Sequence, residues 1–381
     1  MRTLEEQDVV LGRPLAQAVY DVDGKLLLER GHVVRSASIR SALLERGFLK
    51  DEEAAAPPPE DTAVAFAGAP LTSSLVMQPS VFAGLRSVLD ALVDVQQLLL
   101  RGEAQGLSGL QHLNGLLKSY ARSDVDAAMA AMQLSDPEDG FSARPIHAAL
   151  LVRMLGASAG LDEPTIDSLS GAALSHDLAL LPQAATLHRQ AAPISAGQRE
   201  DIDRHTLQAA ALLQTAGLQD GVWLDAVLHH HERLDGSGYP HRLGGDEISR
   251  GTRVVTLVDT YCAMIRPRAY RGAVQSKDAL RALFLERGTA VDEALTALFI
   301  KQVGLYPPGG IVRLASNEVA IVTRRGENTT QPQVRRLLKS DSTPDIDRIA
   351  RDTADPRYAI AESLPQDSYR ALLRGIERLW D

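Results

Sequence analysis

Five histidines and two aspartates are the residues of this chain best suited to chemistry: His147, His176, Asp177, His205, His230, His231 and Asp259. Asp177 and Asp259 each interrupt an apolar run, AALSHDLALLP (172–182) and RVVTLVDTYCAMI (253–265). A carboxylate in such a run is expected to be buried. A buried charge costs several kcal/mol unless an opposite charge pairs with it. Neither run carries a Lys or Arg well inside it, so a cation held by imidazoles and carboxylates is the expected partner. That donor set suits iron, manganese, zinc or nickel. His176–Asp177 offers two donors from one turn of chain, and an aspartate can bridge two ions.

Each residue also has a plainer reading. His147 on an Ala/Leu helix reads by itself as a core or surface histidine. His176–Asp177 reads equally as a buried hydrogen-bonded pair, and His230–His231 as solvated residues at a helix end. His205, in REDIDRHTLQ, has the least distinctive context, and Asp259 has the most. No role is assigned to His32, His112, His188, His229 or His241.

The elements that must position these residues read as helices. Pro145 starts a helix carrying His147, and Pro164 starts another that ends near His176–Asp177. Ser195 with Gln198 forms a capping box before the helix carrying His205. VWLDAVLHHHERL carries the histidine run, and TRVVTLVDTYCAMI carries Asp259. A site built from these residues needs a bundle whose helices converge on one point. Upstream, 81–102 and 109–135 read as helices forming an antiparallel hairpin or an oligomerisation element, so a homodimer is one expectation. Residues 8–48 read as short strands with a turn at Asp23–Gly24, followed by an amphipathic helix over 36–49. Residues 51–70 are rich in Ala, Pro and acid, as linkers are. IVRLASNEVAIVTRR reads as a β-hairpin turning near Ser316–Asn317, and SYRALLRGIERLW as a last helix.

The expected organisation is therefore a small α+β unit over 1–50, a linker over 51–70, a helical connector over 71–135, a metal-binding bundle over 136–325 and a tail over 326–381. Fold class is mainly α, as the low aromatic content (4%) and abundant Ala and Leu also favour. A net charge of −9 argues against DNA or RNA polymers as partners. Cys262 is the only cysteine, which excludes an internal disulfide framework and fits a reducing compartment. The N-terminus has no signal-like apolar stretch, and no uncharged run of about 18 residues invites membrane insertion, so the cytoplasm is the expected location.

In order and spacing, SHDL (175–178), HHERLDGSGYP (230–240) and RVVTLVDTYCAM (253–264) resemble the HD-GYP family, a subgroup of the HD phosphohydrolase superfamily. The resemblance implies an HD-type helical bundle holding metal ions, and hydrolysis of cyclic di-GMP to pGpG or GMP. It implies two divalent ions, iron or manganese. His147, His176, Asp177 and Asp259 would hold the first ion. His205, His230 and His231 would hold the second, with Asp177 bridging and Asp177 and His176 central to catalysis. It further implies a motif loop of Asp235, Gly236, Gly238, Tyr239 and Pro240, with Tyr239, Arg268 and Arg271 on the substrate. Some members carry a Glu where this chain has Ala143, which argues for two ions and not three. This chain also departs from the family at Leu180, where HDIGK has its lysine, and at Cys262, where many members have Asp. Those departures keep a second reading open: a weak or inactive cyclic di-GMP-binding protein that contacts GGDEF-type partners. The first 50 residues faintly resemble small units that precede such domains in bacterial signalling proteins.

Overall fold

The structure is a computed structural model. It describes residues 2–5, 7–9, 15–22, 26–28, 43–44, 47–49, 80–135, 140–190, 192–266 and 274–380. The chain divides into two compact units, Met1–Gly68 and Ala69–Asp381. In the first, β1 (Arg2–Thr3), β2 (Val19–Tyr20), β3 (Leu26–Leu28) and β4 (Phe48–Leu49) form a sheet in the order β1-β4-β2-β3. Leu4, Val9, Leu15, Val19, Leu43 and Leu49 make its core. The predicted Asp23–Gly24 turn, most of the predicted helix over 36–49 and the linker over 51–70 lie outside the described residues.

The second unit is a helical bundle. Its helices are α1 (Val81–Leu100), α2 (Ala104–Ser123), α3 (Val125–Gln133), α4 (Gly140–Ser158), α5 (Glu163–Ser175), α6 (Leu181–Arg189), α7 (Ala196–Thr215), α8 (Gly221–His229), α9 (Arg250–Ile265), α10 (Ser276–Glu286) and α11 (Glu293–Val303). One hydrophobic core runs through it, from Leu85 and Leu92 on α1 through Ile146 and Leu150 on α4 to Val258 on α9 and Phe299 on α11. The upstream helices thus share the core of the helices that carry the histidines. No helix among the described residues is long and apolar enough to cross a membrane.

Local signals explain most helix starts. Asp162 accepts the Thr165 N–H at 2.9 Å to begin α5, with Pro164 in the first turn. The Ser195–Gln198 capping box opens α7. Asp220 accepts the N–H groups of Val222 (2.9 Å) and Trp223 (3.0 Å) to open α8. Two boundaries differ from the sequence expectation. The single predicted helix over 109–135 is broken at Asp124, whose carboxylate caps α3 by accepting the Ala127 N–H. Pro145 sits inside α4 and does not start it; near a helix N-terminus a proline forgoes only one backbone bond.

Buried and part-buried polar contacts tie α2, α4 and α5 together. Arg153 donates to Asp167 Oδ1 (2.8 Å) and to Asn114 Oδ1 (2.9 Å), and Lys118 donates to Asp167 Oδ2 (2.7 Å). After α11 the predicted hairpin is present as β5 (Ile311–Leu314) and β6 (Val319–Arg324), with Asn317 at φ 65° in the turn. It belongs to a larger sheet with β7 (Gln333–Leu338), β8 (Ala350–Asp352) and β9 (Ile360–Leu364), in the order β8-β7-β6-β5-β9. The predicted terminal helix is instead two 3-10 segments, Gln366–Leu373 and Ile376–Leu379. Gly375, in the left-handed region at φ 68°, separates them.

Candidate metal centre

Side-chain packing brings two helix ends together. Trp223 on α8 lies across α5 at Gly171, where an added Cβ would fall 2.3 Å from the indole. The indole N–H of Trp223 also donates to Ser175 Oγ at 3.0 Å. These contacts set the end of α5, which leads into His176 and Asp177, beside the end of α8, which leads into His230 and His231. His205 approaches from α7 and Asp259 from α9.

Two groups of donors result: Asp177, His205, His230 and His231, and His176, His230 and Asp259. Within each group the donor atoms lie within 4.8 Å of one another. His176, His205, His230 and Asp259 are buried, and Asp177 and His231 are partly exposed. His147 belongs to neither group. It is buried, its Nδ1 has no hydrogen-bond partner among the described residues, and burial with the nearby Arg266 charge pulls its pKa down to about 3.

The ring tautomers follow from the backbone. The Nδ1 of His176, His205 and His230 faces the carbonyl oxygens of Ala173 (2.9 Å), Ile202 (2.5 Å) and Val227 (2.8 Å) respectively. A carbonyl only accepts, so each Nδ1 carries its proton. In that tautomer the Nε2 of His205 and of His230 turns a lone pair into the cluster, whereas His176 Nε2 faces the Asp259 carboxylate, which also only accepts, and donates to it. The Nε2 atoms of His205 and His230 are 3.3 Å apart. Two lone pairs at that distance repel unless a cation lies between them. Two nitrogens bound to one ion at about 2.1 Å with tetrahedral angles would sit roughly 3.4 Å apart. The residues therefore fit a metal ion on both tautomer and spacing. Asp177 Oδ1 lies 3.6 Å from His205 Nε2 and completes that donor set.

A cation is already present beside the carboxylates. Arg144, three residues before His147, donates through Nη1 to Asp177 Oδ2 (2.8 Å) and through Nη2 to Asp259 Oδ1 (2.5 Å). His176 Nε2 contacts the same Asp259 oxygen at 3.0 Å. Burial by itself would raise the pKa of Asp259, but Arg144 and then His176 hold it well below the usual carboxylate range. Asp177 is lowered by the same balance. Burial would lower the His176 imidazole, yet Asp177 and Asp259 outweigh it and raise it. Burial drives the His230 imidazole well down and His231 to about 4, favouring the neutral rings a metal needs. Sequence reasoning missed Arg144 because the counter-charge was sought within each aspartate's own run.

The glycine-rich loop is anchored by a residue to which the sequence reading gave no role. Glu232 is buried, and its carboxylate accepts the backbone N–H of His241 (2.6 Å) and of Leu243 (3.0 Å). Asp235 accepts the N–H (3.0 Å) and the hydroxyl (2.6 Å) of Ser237. Gly236 takes φ 72°, and the peptide between Tyr239 and Pro240 is cis. The Tyr239 ring lies 4.8 Å from that of His231, centroid to centroid. Two histidines outside the cluster form a relay with α8: His229 Nδ1 contacts Asp225 (2.7 Å), and His229 Nε2 contacts His241 Nδ1 (3.0 Å). Leu180 closes the 3-10 turn after Asp177, and Cys262 is buried one turn beyond Asp259. Burial and the Asp259 charge push the Cys262 thiol up to about 12. Arg268 and Arg271 lie outside the described residues.

Comparisons with known proteins agree with this architecture. Residues 124–295 match the HD domain family. The chain is 26% identical over 258 residues to the cyclic di-GMP phosphodiesterase PA4108 of Pseudomonas aeruginosa, covering 67% of this chain and 62% of that protein. It is 41% identical over 78 residues to the 3'3'-cGAMP-specific phosphodiesterase 3 of Vibrio cholerae, covering 20% of this chain and 17% of that protein. The chain thus spans less than two thirds of the length of either relative. Among solved structures, Bd1817, an HDG"Y"P protein from Bdellovibrio bacteriovorus, superposes with a TM-score of 0.51 at 14% identity, over 78% of this chain and 97% of that one. Residues 124–295 of this chain thus match the HD domain family, and the fold is similar to that of an HDG"Y"P protein.

Proposed function

We propose that this chain is a metal-dependent phosphodiesterase that hydrolyses cyclic di-GMP to pGpG, GMP or both. The observation that carries the reading is the convergence of Asp177, His205, His230 and His231, with the His205 and His230 lone pairs facing each other across 3.3 Å. The donor set suits iron, manganese, zinc or nickel, and the family resemblance narrows this to iron or manganese. A divalent ion held there supplies Lewis-acid activation of water and of the phosphodiester.

The chain's own residues supply position and charge. The backbone carbonyls behind His176, His205 and His230 fix the ring tautomers. Asp177 belongs to the first donor group, His230 is common to both, and His176 orients Asp259. Tyr239, held by the Glu232-anchored loop, forms a flat apolar wall beside His231 on which a base can pack. Arg268 and Arg271 match basic positions of the family, and a guanidinium fork suits a phosphodiester oxygen pair. Leu180 cannot donate a proton or a charge to the leaving oxygen.

The Leu180 substitution favours one second reading, a protein that binds cyclic di-GMP with slow or no turnover and regulates a GGDEF-domain partner. Protein purified without oxygen and supplied with Mn²⁺ or Fe²⁺ is incubated with cyclic di-GMP and, separately, with 3'3'-cGAMP, and the nucleotides are separated by chromatography. Appearance of pGpG or GMP supports the phosphodiesterase. Metal-loaded protein that leaves cyclic di-GMP unchanged overturns it, and turnover of 3'3'-cGAMP alone reassigns the substrate.

A further inference from the structure

We infer that the Arg144 guanidinium takes the place of one of the two metal ions, so that this chain binds a single divalent ion, at Asp177, His205, His230 and His231. The inference rests on the metal-dependent reading above and specifies it.

The geometry separates the two halves of the cluster. Asp177 divides its oxygens: Oδ1 faces His205 at 3.6 Å, and Oδ2 accepts from Arg144 at 2.8 Å. The His205–His230–His231 half therefore keeps one free carboxylate oxygen and three imidazoles, a full tetrahedral set. The other half does not. The Oδ1 of Asp259 is engaged at 2.5 Å by Arg144 and at 3.0 Å by His176. An ion entering there would have to displace the guanidinium from both aspartates. His147, which the family resemblance places on that ion, belongs to neither donor group.

Charge leads to the same result. Arg144 is only about a fifth exposed, and the Nε of its guanidinium has no hydrogen-bond partner among the described residues. The two aspartates are thus the groups that hold its charged end. A guanidinium does not lose its proton in proteins, so this cation is permanent. With Arg144 in place, one divalent ion exceeds the charge of the two aspartates by a single unit. Two ions would exceed it by three. Arg144 also spans two carboxylates through separate nitrogens, as a bridging ion would through two coordination positions.

The test is a metal count on the full chain. Metal-stripped wild type and the variants Arg144→Lys and Arg144→Ala are titrated with Mn²⁺ under argon. Bound metal is measured by elemental analysis, and electron paramagnetic resonance distinguishes an isolated Mn²⁺ from an exchange-coupled pair. The expected result is one ion per chain with an isolated-ion spectrum in wild type and in Arg144→Lys. Arg144→Ala should rise to two ions with a coupled spectrum. His231→Ala should lose the wild-type ion, while His176→Ala should retain it. Two coupled ions in wild type would overturn the inference and leave the metal-dependent reading intact. One ion in both wild type and Arg144→Ala would also overturn it. No ion in folded wild type would overturn the metal-dependent reading itself. Should Arg144→Ala fail to fold, the wild-type count and spectrum decide alone.

Discussion

Glu232 holds His241: its buried carboxylate accepts the His241 backbone N–H at 2.6 Å, and the Leu243 N–H at 3.0 Å. Glu232 directly follows His230–His231, so one residue couples the loop to the donor cluster. Hydrogen bonds to a charged group contribute about 1.5–3 kcal/mol, and loss of the acceptor strands two backbone donors. Glu232→Ala should therefore destabilise the chain by roughly 2–4 kcal/mol in urea unfolding. Glu232→Gln, which keeps one acceptor, should lose less. Equal stability of all three proteins would show that the loop is held by something else.

Gly238 has no space for a side chain. A Cβ there would lie 2.5 Å from Glu232 Cα and from the His231 carbonyl oxygen, both backbone atoms that cannot rotate away. Gly238→Ala should lower the melting temperature and weaken metal binding, because relief of the clash moves the backbone that carries His231. An unchanged melting curve with unchanged metal affinity would contradict the close approach.

Trp223 sets the two helix ends that deliver four of the donors. Truncating a buried Trp costs about 3–5 kcal/mol. Trp223→Ala should cost that much in thermal unfolding and lower metal affinity, since His176–Asp177 would lose its register against His230–His231. Trp223→Phe keeps the ring contact, loses the Ser175 bond, and should fall between the two. A metal affinity unchanged in Trp223→Ala would separate the packing from the site.

Asp177 belongs to the first donor group and, through Arg144, to the balance of the second. Asp177→Ala should abolish metal retention after desalting and reduce phosphodiester turnover to background. Metal content equal to that of wild type would remove Asp177 from the site.

The C-terminal sheet carries a pH dependence of its own. Arg351, ahead of Arg336, holds the Glu318 carboxylate at about 2, against an ordinary value of 4.5. Glu318 is buried, with Arg336 Nη1 at 2.5 Å and Arg351 Nη2 at 2.8 Å. A depressed folded-state pKa stabilises above the unfolded value and is lost as the carboxylate takes up a proton. Stability should thus be fully present above pH 4.5 and fall as pH drops towards 2, by roughly 2–3 kcal/mol at most. Glu318→Gln should flatten that portion of the stability–pH curve. An identical acid limb in the variant would place the acid sensitivity elsewhere.

Much was legible in the sequence alone. The capping box at Ser195–Gln198, the helix start at Pro164 and the helical reading of 81–102 are local signals that survive in the fold. The donor types were equally legible, because a carboxylate inside an apolar run has to meet a cation. Tertiary structure decided which cation. Periodicity gives a helix a buried face but not its rotation against its neighbours. That rotation comes from packing such as Trp223 over Gly171, and it places Arg144 beside Asp259 from 115 residues away. His147 lies outside both donor groups, which spacing along the chain does not show. Glu232 was overlooked because a glutamate beside a loop reads as solvated, and burial is a property of the folded chain. The sheet exceeds the predicted hairpin for the same reason: strands as short as Ala350–Asp352 carry too little pattern to read, and only pairing with β7 makes them strands.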